Sequence, residues 1–101
     1  MDRQLLVNKL TALSNPTRLV ILECLLEARR SGQLLSVNVL ASMIGTSQGV
    51  CSKHLGLLRQ AGIVDKQESG NFVYYDLNSG LQEIVLELTK LGRFEELDIW
   101  S

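Results

Sequence analysis

The sequence predicts a mainly α domain closed by a small β-hairpin, in the order α-α-α-α-β-β-α. Three observations predict it. Asn15-Pro16 is a helix start, with an N-cap side chain followed by proline at the first helical position. Residues 37–61 read as two short helices broken at Gly45. Beyond Gly62 the apolar period shortens from helical to strand-like.

The first helix is expected over about 2–13, where Leu6, Leu10 and Leu13 recur at helical spacing beside Leu5 and Val7. The second is expected over 16–28. Leu19, Val20, Ile21, Leu22, Cys24, Leu25 and Leu26 make it apolar nearly all round, the signature of a helix in the middle of its domain. Arg29–Gln33 holds Ser31-Gly32 and reads as a loop. Ser36 can cap a third helix over 37–44 that stops at Gly45, and Thr46 or Ser47 can cap a fourth over 48–61, stopped by Gly62. Ile63-Val64 and Phe72-Val73-Tyr74-Tyr75 are strand-like around Glu68-Ser69-Gly70-Asn71, a hairpin over 63–76. Asn78 or Ser79 opens a last helix over 80–91, with Leu81, Ile84, Val85, Leu88 and Leu91 on one stripe. Two helices joined by a tight glycine turn, followed by a hairpin, make a winged helix-turn-helix. Residues 1–92 form this domain and 93–101 an acidic tail with Phe94, Ile99 and Trp100.

With 101 residues, 46% hydrophobic and 21% charged, the chain is expected to bury a core without metal or disulfide staples. No apolar run approaches the roughly 20 residues of a membrane span, and MDRQLLVNKLTALSNP lacks the apolar centre of a signal peptide. With only two cysteines, these features point to a cytoplasmic protein. Net charge is −1, but unevenly spread. Residues 1–66 carry eight Lys/Arg against four acids, and residues 67–101 two against seven, so a positive face toward a polyanion is possible.

On a helical wheel of the fourth helix, Val50, Cys51, His54, Leu55, Leu57, Leu58 and Ala61 share one arc. The opposite arc carries Gln48, Gly49, Ser52, Lys53, Gly56, Arg59 and Gln60. Gln48, Ser52 and Lys53 in its first turns are residue types that read base edges or bind phosphate. Gly49 is positioned for close approach to a groove, and Gly56 reads as a tolerated surface glycine. The hairpin has one cation, Lys66, with Glu68 opposing phosphate, so it is expected to orient more than to attract. Arg3, Lys9, Arg18 and Arg59 are further phosphate candidates, with a structural role favoured for Arg18.

LTALSNPTRLVILECLL (10–26), LSVNVLASMIGTSQGVCSKHLGLLRQAGIV (35–64) and GNFVYYDL (70–77) together resemble the arsenical-resistance repressor (ArsR/SmtB) family of small winged-helix repressors. The resemblance implies a homodimeric transcriptional repressor on double-stranded DNA at an imperfect palindrome. It places Ser47, Gln48, Gly49, Ser52 and Lys53 at DNA-contacting positions. It also implies dimerisation through the first and last helices, here Leu6, Leu10, Leu81, Ile84, Val85, Leu88 and Leu91.

Many members of that family sense metals. The positions of one site type hold Ser36 and Asn38 here, and the last helix offers only Glu83 and Glu87, so no zinc, cadmium or arsenic site is expected and no cofactor. His54 reads as a packed core histidine. Redox-sensing members pair a cysteine of the second helix with one in the last. Cys24 falls one position late, at the residue after Glu23, and the last helix has none. A Cys24–Cys51 pair is a remote redox alternative, requiring Cα atoms within about 7 Å. A small-molecule effector is unknown. Enzymatic chemistry is not expected, because Ser52 and His54 diverge by about 200° on a helix and no phosphate-binding glycine loop is present. The alternative function is a winged-helix protein-interaction module, motivated by the acidic C-terminal third, the thinly charged wing and Trp100.

Overall fold

The structure, a computed structural model, describes residues 1–91 without the side chain of Leu91. The expected tail over 93–101 and the Leu91 contribution to the dimer stripe lie outside the described residues. Five helices and three strands follow one another: α1 (Arg3–Leu13), α2 (Pro16–Arg30), β1 (Leu35–Ser36), α3 (Val37–Ile44), α4 (Gln48–Gln60), β2 (Val64–Ser69), β3 (Phe72–Leu77) and α5 (Gly80–Leu91).

The helix ends follow local chemistry. The Asn15 side chain accepts the Arg18 N–H, and Pro16 sits in the first turn of α2, where no backbone donor is lost. Ser36 and Ser47 accept the N–H groups of Val39 and Val50 and so start α3 and α4. Gly45 ends α3 at φ +71°, and the Thr46 N–H reaches back to the Ala41 carbonyl. α2 runs two residues beyond its expected end. Arg29 and Arg30 suit the negative end of a helix, and the left-handed residue that stops it is Gly32, with Gln33 donating to the Ala28 carbonyl.

The hairpin lies one residue later than expected, over 64–77. β2 and β3 pair antiparallel from Val64↔Leu77 to Ser69↔Phe72, around the two-residue turn Gly70-Asn71 with Gly70 at φ +60°. A third strand, absent from the sequence expectation, joins them. β1 pairs with β3 through Leu35↔Tyr75 and Ser36↔Tyr74, giving the order β1-β3-β2. Two residues are too few to show a period of their own. The strand exists because Leu35 is buried in the core and Ser36 must lie extended to cap α3.

The core gathers Ile21 and Leu25 from α2, Leu40 from α3, Cys51, Leu55 and Leu58 from α4, and Ile63, all essentially without solvent contact. α2 is therefore central, but it is not buried all round, because Leu19 and Val20 are exposed. The arc of α4 that packs is also narrower than the wheel suggested. Val50 is 45% exposed and Leu57 is exposed beside it. His54 is half-buried at the rim rather than in the core.

Candidate nucleic-acid interface

α3, the turn Gly45–Ser47 and α4 form the helix-turn-helix, with Leu40 and Ala41 of α3 and Cys51, Leu55 and Leu58 of α4 in the shared core. Anchoring that side of α4 turns the other outward. Ser47, Gln48, Gly49, Ser52 and Lys53 are all exposed. Ser47 holds the N-cap, and its hydroxyl oxygen accepts the Val50 N–H at 3.2 Å. Among the described residues no side chain engages Gln48, Ser52 or Lys53. A Cβ added at Gly49 or Gly56 would meet nothing within 4 Å, so neither glycine is required by packing. The first two turns of α4 are thus a set of uncommitted donors and acceptors on a rigid helix, the arrangement that reads base edges in a major groove.

The other cations sort differently. Arg18 donates through Nε to the Ala12 carbonyl at 2.5 Å and lies with Nη1 3.2 Å from His54 Nδ1, so it ties α2 to α1 and α4. Lys9 is not a free cation for phosphate. It is 9% exposed, and its Nζ donates to the carbonyl of Ala61, the C-cap of α4, at 2.6 Å. Arg29 donates to the Leu77 carbonyl at 3.0 Å and fastens the base of the wing. Lys66 lies 3.9 Å from Glu68 Oε1, so the wing's one cation is matched by an acid on its own strand.

Sequence reasoning missed the junction at the C-terminal end of α4. Gly62 adopts φ +75°, and a Cβ there would stand 2.8 Å from Lys9 Nζ. A Cβ at Gly80 would overlap the Gly62 carbonyl oxygen, so only glycine lets α5 begin against this turn. Gly62 read as a helix stop from sequence alone. Gly80 gave no signal, because close backbone approach leaves no pattern in composition.

α1 packs on α5, and together they carry the expected dimer stripe. Within it Ile84 is 4% exposed and already consumed by the protomer's own core. Leu6 and Leu81 are half-buried, Leu10 and Leu88 are exposed, and Val85 is 57% exposed. Leu5 and Leu86, the latter 61% exposed, extend the same apolar surface and were not in the expected set. Leu86 borders two shallow clefts, one with Leu5 and Glu87 and one with Leu81 and Val85.

Ser36 Oγ accepts a backbone N–H as the cap of α3, and no cluster of three or more His, Cys, Asp or Glu gathers among the described residues. Cys24 is half-buried and Cys51 buried, and both are free thiols. Burial pushes both thiols up, aided at Cys24 by Glu23 and at Cys51 by Cys24, which leaves them protonated and weakly nucleophilic. Burial, then the Arg18 cation, then Lys53 hold His54 below the usual histidine range. No helix among the described residues is long and apolar enough to cross a membrane.

Comparison with known proteins agrees with this geometry. Residues 13–67 match the family described as a helix-turn-helix domain. The nodulation protein NolR of Rhizobium meliloti is 32% identical over 78 residues, covering 77% of this chain and 60% of NolR, so the chain spans about three fifths of that relative. The transcriptional activator HlyU of Vibrio cholerae is 37% identical over 79 residues, covering 78% of this chain and 68% of HlyU. A solved ArsR-like transcriptional regulator from Rhodococcus sp. RHA1 superposes with a TM-score of 0.79 at 26% identity, over 95% of this chain and 87% of the other. The chain belongs to the helix-turn-helix family, within the ArsR-like winged-helix transcriptional regulators.

Proposed function

We infer that the protein is a sequence-specific DNA-binding transcriptional regulator of the cytoplasm, acting as a homodimeric repressor. α4 enters the major groove, with Gln48 and Ser52 toward base edges and Lys53 toward guanine or phosphate. The observation that carries this reading is the outward face of α4, whose polar side chains are exposed and uncommitted while its other face is fixed in the core. The exposed Leu5, Val85, Leu86 and Leu88 support a second copy on α1 and α5, since a monomer would leave that surface in water. Two-fold pairing there would present two α4 helices to a palindromic site. Bound at a promoter, such a dimer represses by occlusion.

The test is selection of fragmented genomic DNA by the protein, followed by gel retardation of the recovered fragments at two salt concentrations. Binding should be selective and salt-sensitive. Gln48→Ala and Ser52→Ala should relax selectivity, with discrimination falling by about 1–3 kcal/mol per lost bidentate contact. Lys53→Ala should weaken binding evenly across sites if it meets phosphate, with a shallower salt dependence. Retention of no fragment over any other would favour the protein-interaction reading instead.

A further inference from the structure

The wing carries little positive charge with which to attract DNA. Between residues 64 and 77 the one cation, Lys66, is outnumbered by three acids, Asp65, Glu68 and Asp76, and lies close to Glu68. Its tip carries something else. Phe72, the first residue of β3 beside the Gly70-Asn71 turn, is 62% exposed, the most exposed large apolar side chain among the described residues. Its ring stacks on Tyr74 with centroids 6.1 Å apart and planes 23° from parallel. Strand alternation explains the pair. Tyr75 and Leu77 point into the core, which leaves Phe72 and Tyr74 on the outer face. A stacked pair of this kind steadies the hairpin modestly, but it leaves the Phe72 ring largely in water.

The arm length matches a DNA dimension. Val64 and Leu77 at the base of the hairpin are buried and adjoin the end of α4. The five steps from Val64 to Ser69, at about 3.3 Å each, place the tip about 17 Å farther out. Half of the roughly 34 Å helical repeat, about 17 Å, separates a major groove from the next minor groove. An arm of this length can span from a major groove to the minor groove beside it.

We propose that Phe72, backed by Tyr74, is the DNA contact of the wing: an aromatic wedge set against the sugar walls and a base step of the adjacent minor groove. It acts by apolar contact where a cationic wing would act by charge. A wedge of this kind favours a deformable pyrimidine–purine step, so it adds selectivity at a position that α4 never touches. This rests on the DNA-binding reading above and assigns the wing its part in it.

The experiment uses the duplex that the wild-type protein selects. 2-Aminopurine is placed at steps about five base pairs, half a helical turn, from the α4 contact. Wild-type protein should brighten the probe at one such step. Phe72→Ala should abolish the brightening and weaken binding about tenfold, within the range of aromatic–base stacking, with the salt dependence unchanged. Phe72→Trp should restore both. Circular dichroism should show each variant folded, given the exposure of the site. Phe72→Ala binding and brightening like wild type would overturn the wedge alone. Phe72→Lys restoring affinity without brightening would overturn it in favour of a phosphate contact. Wild-type protein that selects no duplex would overturn the DNA reading itself, a result distinct from either.

Discussion

At its N-terminal end α4 offers Gln48, Ser52 and Lys53 to solvent with no partner among the described residues. At its C-terminal end the Ala61 carbonyl receives the Lys9 ammonium, and Gly62 lies under the first residue of α5. At one end these three side chains keep their hydrogen-bonding capacity free and contribute little to stability. The other spends that capacity inside the fold. The helix can carry an unsatisfied polar surface at one end because it is immobilised at the other. Substitutions should therefore separate into those that unfold and those that only unbind.

The largest effect is expected at Gly80. Gly80→Ala forces a methyl into the Gly62 carbonyl, and because backbone must move, the cost should reach or exceed about 3 kcal/mol, the upper end for overpacking. The urea midpoint measures it, and an unchanged midpoint would break the contrast at its strongest point. Next comes Lys9→Met, which keeps the aliphatic stem and removes a charge-assisted hydrogen bond. The expected loss is about 2 kcal/mol. At the free end, Gln48→Ala and Lys53→Ala should move the same midpoint by less than about 0.5 kcal/mol while impairing operator binding. A larger shift would mean that this end is structural too.

The smallest effect sharpens the boundary between the two ends, at His54. Its folded-state pKa lies below the unfolded value, so folding disfavours its proton. The unfolded chain then binds more protons, and stability rises with pH in this window. The His54 contribution is complete above pH 6.5, the ordinary value, and declines as pH falls from there toward the lowered folded value. A protonated ring also loses its acceptor toward Arg18 Nη1, now 3.2 Å away. In His54→Gln the slope of unfolding free energy between pH 7 and 5 should be shallower than in wild type.

Much of this fold is readable from local rules. Ser36, Gly45, Ser47 and Pro16 mark helix ends through their own chemistry, and the start and stop of α3 and the start of α5 agree with expectation to the residue. What the chain conceals depends on partners distant in sequence. β1 counts as a strand only once β3 lies beside its extended residues, and Lys9 looks like a surface cation until Ala61, 52 residues away, is brought to it. Val50 and Leu57 show the same limit, since a wheel gives direction but not how wide a neighbouring surface is. Of the candidate interface, the α4 face was legible because residue type and periodicity coincide there. The exposure of Phe72 was not, because an aromatic in a strand reads as core until the pleat is known.

The seating of Gly80 on Gly62 makes the start of α5 a fulcrum. If two copies lean on each other through α5, a change in that lean pivots at the carbonyl just past α4, and main chain meets main chain with no side chain between to absorb it. Information about the state of the pair would then travel to the reading helix along a path that few substitutions could soften, and a chemical signal would need only to alter the lean.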